Sequence, residues 1–92
     1  MDFSSIHNYY EHLVARYLLE HVLPQFPDKD DEFFLDIACY ALTKLPARYM
    51  RHEVDMAFYM QAKERNKIDK EVAKAVKNAT SYITERLKDN ES

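Results

Sequence analysis

Apolar residues recur at helical spacing in three stretches of this chain and alternate with polar ones in a fourth. The clearest stretch runs from about Gln61 to Leu87. There Ile68, Val72, Ala75, Val76, Ala79, Ile83 and Leu87 follow one another at three- and four-residue steps, the pattern of a helix with one buried face. The polar segment Lys88 to Ser92 is expected to fray. Near the other end, Ile6, Tyr10, Leu13, Val14, Tyr17 and His21 share one side of a helical wheel, and Asn8, Tyr9, His12 and Arg16 lie along one flank of it. Ser4 or Ser5 is placed to cap that helix, and Pro24 and Pro27 require it to stop near Val22. Pro24 to Asp31 reads as a loop ending in acids, which suit a helix N-terminus. A second helix is predicted over roughly Asp31 to Lys44, with Phe33 or Phe34, Ile37, Ala38, Ala41 and Leu45 inward. Pro46 ends it and biases Leu45 away from helical geometry.

Between Met50 and Met60 the period shortens. Met50, His52, Val54, Met56, Phe58 and Met60 alternate with Tyr49, Arg51, Glu53, Asp55, Ala57 and Tyr59, a strand pattern, although a helix over Val54 to Met60 competes with it. A strand here is expected to pair across a dimer or with the Pro24 to Asp30 loop. The expected fold is mainly α: one domain over residues 1–92, a small bundle of three main helices with one short extended segment, and dimeric.

Composition narrows the function classes. Ninety-two residues bury a modest core, near the size at which a second subunit often completes it. The hydrophobic fraction, 47%, is too high for a disordered chain. A net charge of −3 gives no electrostatic footprint for duplex nucleic acid. No apolar run approaches the roughly 18 to 20 residues of a membrane span, and Met1-Asp2-Phe3-Ser4-Ser5 lacks a basic region followed by an apolar one, so a cytoplasmic address is expected. The single cysteine, Cys39, excludes a disulfide framework and a cysteine-based zinc site within one chain. Glycine is absent, which removes the Walker loop and the dinucleotide-binding glycine fingerprint. Any phosphate must therefore be held by side chains or helix ends.

Neither a metal centre nor a catalytic group can be assembled from spacing. His7 and His12 lie some 140° apart around a helix, His12 and His21 lie on opposite faces, and His52 lies in another segment. His7 and Glu11 are one helical turn apart and are expected to form a surface pair. Cys39 stands mid-helix beside inward residues, the place of a buried, inert thiol. Ser4, Ser5 and Ser81 have no nucleophile-elbow context, and Asp28, Asp30, Asp31 and Glu32 describe a solvated loop and helix start. The chain is not expected to be an enzyme.

What remains is the corner Leu45-Pro46-Ala47-Arg48-Tyr49, where a helix stop fixes a cation next to an aromatic. Tyr10 and Tyr17 belong to the buried stripe, whereas Tyr9 and Tyr49 are less easily placed inward. Two readings stay open. Arg48 pairs with an acid of the second helix while Tyr49 plugs the corner, the reading that residue types alone favour. Alternatively, the guanidinium grips a phosphate and the ring stacks a nucleobase.

Asp36-Ile37-Ala38, followed by Ala41-Leu42-Thr43-Lys44-Leu45-Pro46-Ala47-Arg48-Tyr49, resembles the signature of the late competence development protein ComFB family. Ile6-His7-Asn8-Tyr9-Tyr10-Glu11 and the long last helix are similar to it too. Thr43 stands where that family more often has asparagine, and Ala47 where it has a second proline. The cysteine cluster of some members is replaced here by Asp28-Lys29-Asp30-Asp31-Glu32, so their zinc feature does not carry over. The resemblance implies a dimeric, non-enzymatic bacterial receptor for cyclic di-GMP, or for cyclic di-AMP, with no cofactor and with a downstream protein partner in motility, competence or cell-size control. Wheel position and the family corner together select the candidate residues. Arg48 and Arg16 would hold phosphate, and Tyr9 and Tyr49 would stack or shape the base pockets. Asn8, His12, Asp36 and Lys44 would supply hydrogen bonds, and Tyr40 and Arg51 complete the set. The alternative is a protein-interaction module in which the corner is structural.

Overall fold

The computed structural model describes residues 1, 3–51 and 60–91. Among the described residues it shows a bundle of three helices and one two-stranded antiparallel ribbon. Helix α1 spans Tyr9–Tyr17, α2 spans Asp31–Thr43 and α3 spans Ala62–Glu91, while β1 (His7–Asn8) pairs with β2 (Tyr49–Met50). At 1.5 Å per residue α3 is about 45 Å long, which accounts for the 48 Å long axis of the molecule. It is the spine on which α1 and α2 pack.

The buried set follows the wheel. Tyr10, Leu13, Val14, Leu18 and Val22 meet Phe33, Ile37 and Ala41 of α2 and Ile68, Val72, Ala75, Val76 and Ala79 of α3, with Met60 closing one end. Ile37, Ala41, Val76 and Ala79 are completely buried. Phe34, Ala38, Leu45, Ile83 and Leu87 are half-buried at its edge. The loop after Pro24 is pinned by Phe26, whose ring lies 5.2 Å from that of Phe33. Asp30 caps α2 by accepting from the Phe33 amide at 3.2 Å.

Several expectations are corrected. The first helix is not capped by Ser4 or Ser5: Phe3–Ser5 form a single 3-10 turn. Asn8, in extended backbone geometry, caps α1 instead. Residues His7 and Asn8 are drawn into the ribbon, so the helical spacing of His7 and Glu11 is lost and Ile6 is exposed rather than part of the buried stripe. Beyond Tyr17 the chain continues as a π turn, Leu18–Val22, and then a 3-10 turn at Leu23–Gln25. The wider winding carries His21 to the surface. At the start of the expected extended segment, Tyr49 and Met50 pair with β1 of the same chain rather than with the Pro24 to Asp30 loop. The strand-or-helix alternative for residues 52–59 lies outside the described residues. The last helix extends past Leu87 to Glu91. Cys39 is exposed, because two residues from either Ile37 or Ala41 is more than half a helical turn from the buried face.

Candidate functional site

Asn8 organises the corner. Its Oδ1 accepts from the Tyr10 amide at 3.2 Å, which caps α1, and from the Arg48 amide at 2.9 Å, which ties the corner to the start of that helix. The Tyr9 amide in turn donates to the Arg48 carbonyl at 2.8 Å. Both backbone polar groups of Arg48 are thus satisfied within the chain, and its side chain is set in place without help from a ligand. Arg48 and Met50 are half-buried while Tyr49 between them is 70% exposed, the alternation of a ribbon with one face on the protein. Arg48 therefore faces α3 and Tyr49 faces outward. Tyr9 is half-buried at the edge of the core, and Arg51 is exposed at the end of β2.

The acid that meets Arg48 belongs to α3, not to the second helix: Arg48 Nη1 donates to Glu64 Oε1 at 2.7 Å. Two turns further along α3, Glu71 accepts from the Tyr10 hydroxyl at 3.3 Å. Burial, followed by the charge of Glu71 and its hydrogen bond, raises the Tyr10 phenol above its ordinary value of 10.0. The Arg48 charge pulls the other way, and Glu64 adds a smaller upward push. Arg48, Glu64, Glu71 and Tyr10 thus form one electrostatic group. Glu64 also lines an open cavity of about 870 Å³ with Gln61, Lys63, Asn66, Lys67 and Lys70.

The other candidate residues fall elsewhere. Tyr40 stacks on Tyr82 of α3, ring centroids 4.3 Å apart, with Lys44 over the Tyr40 ring and Arg86 over that of Tyr82. Asp36 and Tyr40 line a cavity there of about 420 Å³ with Tyr82 and Arg86. Glu64 and Tyr82 are about 27 Å apart along α3 at 1.5 Å per residue, beyond the span of one small ligand held by both. Lys44 lies between these places, lining a third cavity with Leu45, Pro46, Glu71, Lys74 and Asn78. Arg16 is on the exposed side of α1, 3.8 Å from Glu20, and lines a separate cavity with Tyr17, His21 and Asp69. His12 is exposed on the same helix. The structure thus brings Asn8, Tyr9, Arg48 and Tyr49 together and sets Asp36 and Tyr40, and also Arg16, apart from them.

Periodicity had given no sign of Glu64, Glu71 or Tyr82, although all three lie on one flank of the α3 wheel, off its buried stripe. Lys63, Lys67 and Lys70 likewise recur at four- and three-residue steps on the solvent side. Among the described residues no cluster of histidine, cysteine or carboxylate side chains could hold a metal ion, and no helix is long and apolar enough to cross a membrane. Compared with known proteins, residues 7–87 match the family described as late competence development protein ComFB. No curated protein and no solved structure matches the chain.

Proposed function

Because the chain belongs to the late competence development protein ComFB family, we propose that it is a non-enzymatic receptor for a cyclic dinucleotide, cyclic di-GMP first among them. Arg48 carries the reading. Its backbone is fixed at both polar atoms by α1 and its guanidinium is half-exposed, so a charged fork is presented to solvent at a rigid corner. Its ion pair with Glu64 is too exposed, at 41% and 44%, to contribute more than about 1 kcal/mol to stability. Stability alone is therefore a weak reason for this residue. A phosphodiester would take the guanidinium on the α3 side. A base splayed away from the phosphates would stack on Tyr49, with Tyr9 and Arg51 at the rim and Asn8 holding the corner in place.

The chain would act in the cytoplasm as a homodimer and pass its bound state to a downstream protein. Calorimetric titration of cyclic di-GMP is the direct test. Arg48→Ala is expected to lose at least tenfold in affinity and Tyr49→Ala about 1 to 3 kcal/mol of binding free energy, with light scattering in the same buffer reading twice the 11.0 kDa chain mass. Equal affinity in wild type and Arg48→Ala would remove the site, and no heat with any cyclic dinucleotide would remove the function.

The resident Glu64 partner supports a second reading, in which the corner is structural and the exposed Tyr49 docks a protein. Under it, Arg48→Ala would leave cyclic dinucleotide titrations flat in both proteins while Tyr49→Ala weakened the protein contact.

A further inference from the structure

Glu64 belongs to two constellations at once. It is the partner of Arg48, at 2.7 Å, and it is the carboxylate among the described residues lining the 870 Å³ cavity over the first turns of α3. The other lining side chains, Gln61, Lys63, Asn66, Lys67 and Lys70, are hydrogen-bond donors. The three lysines are exposed and make no ion pair among the described residues. The carboxylates that could neutralise them on the same helix are turned elsewhere, Glu64 to Arg48 and Glu71 to Tyr10. Like charges one turn apart on a helix repel, so the described residues of the cavity wall concentrate positive charge beside an arginine already holding a carboxylate.

We propose that Glu64 is a resident counter-ion gating the anion site, and that Lys63, Lys67 and Lys70 complete the site on α3. The inference rests on reading Arg48 as the phosphate-binding group, and it adds both the competitor and the second wall. A phosphodiester entering the cavity takes over Arg48, exchanging one charge-assisted hydrogen bond for another. The released Glu64 side chain turns to solvent, and the lysines face the remaining phosphate oxygens. The closed form lowers the apparent affinity by the fraction of molecules whose Arg48 is occupied.

The test compares wild type, Glu64→Gln, Arg48→Ala and the double variant Lys67→Gln/Lys70→Gln, all verified as folded by circular dichroism. Each is titrated with cyclic di-GMP, cyclic di-AMP and inorganic pyrophosphate at two salt concentrations. Glu64→Gln is expected to bind about two- to fivefold more tightly than wild type, and the double lysine variant more weakly, with a shallower salt dependence. Equal or weaker binding by Glu64→Gln overturns the gate while leaving the receptor reading intact, provided Arg48→Ala still loses the dinucleotide. Tighter pyrophosphate binding by Glu64→Gln with no dinucleotide bound upholds the gate and overturns the receptor reading. Absence of binding by every probe overturns both.

Discussion

Two side chains decide how the corner is held. Asn8 serves two amides with one oxygen, so Asn8→Ala removes a helix cap and leaves the Arg48 amide without its partner. Urea denaturation should show a loss of about 2 kcal/mol, with Asn8→Asp recovering most of it because the accepting oxygen is retained. Tyr10 makes the corner sensitive to alkali. Its phenol is held above 10.0 in the fold, so the native state keeps a proton that the unfolded chain releases near pH 10. The stability that this adds is fully present below pH 10 and is lost as pH rises through the folded value. Tyr10→Phe should cost about 1 kcal/mol at neutral pH, and its deficit against wild type should shrink above pH 10. A deficit independent of pH would mean that the phenol is not shifted.

At the scale of elements, α2 and α3 share the most extensive contact between elements among the described residues. Ala41 and Ala79 are completely buried, so a longer side chain at either must displace its neighbours. Ala79→Leu should therefore lower stability by roughly 1 to 3 kcal/mol in thermal or urea unfolding, even though it adds apolar surface. The seam was legible in the chain because Ile37, Ala41, Val72, Val76 and Ala79 repeat at the period that a helix imposes. The ribbon was not. Two residues per strand carry no alternation to detect, and Asn8 acts through a partner forty positions away. The same limit hid Glu64, whose role depends on which face of α3 the corner reaches. Cys39 was placed inward by its apolar neighbours, whereas the helical rotation between it and Ile37 puts it outside. Of the candidate site, the residues of the corner and of the first helix were legible as separate sets, Arg48 and Tyr49 from the helix stop and Asn8 and Tyr9 from the wheel. The separation of Asp36 and Tyr40 from them became visible only with the length of α3.

As a whole the molecule is a flattened body of 48 × 35 × 22 Å built on one long helix whose first residues, 62–67, are all exposed. The proposed anion site sits on that exposed end, beside the core residues Met60 and Ile68. The ribbon is also the contact that closes the chain on itself, joining residue 8 to residues 48 and 49. Contacts so distant in sequence gain little until the helices between them have met. The corner is then the last part of the fold to form and the first to open. In stopped-flow chevrons, Asn8→Ala should speed unfolding while leaving the refolding limb unchanged. On this view the corner that would receive a signalling nucleotide is also the clasp of the fold, and a ligand fastened across Arg48 would reveal itself first as a slower rate of coming apart.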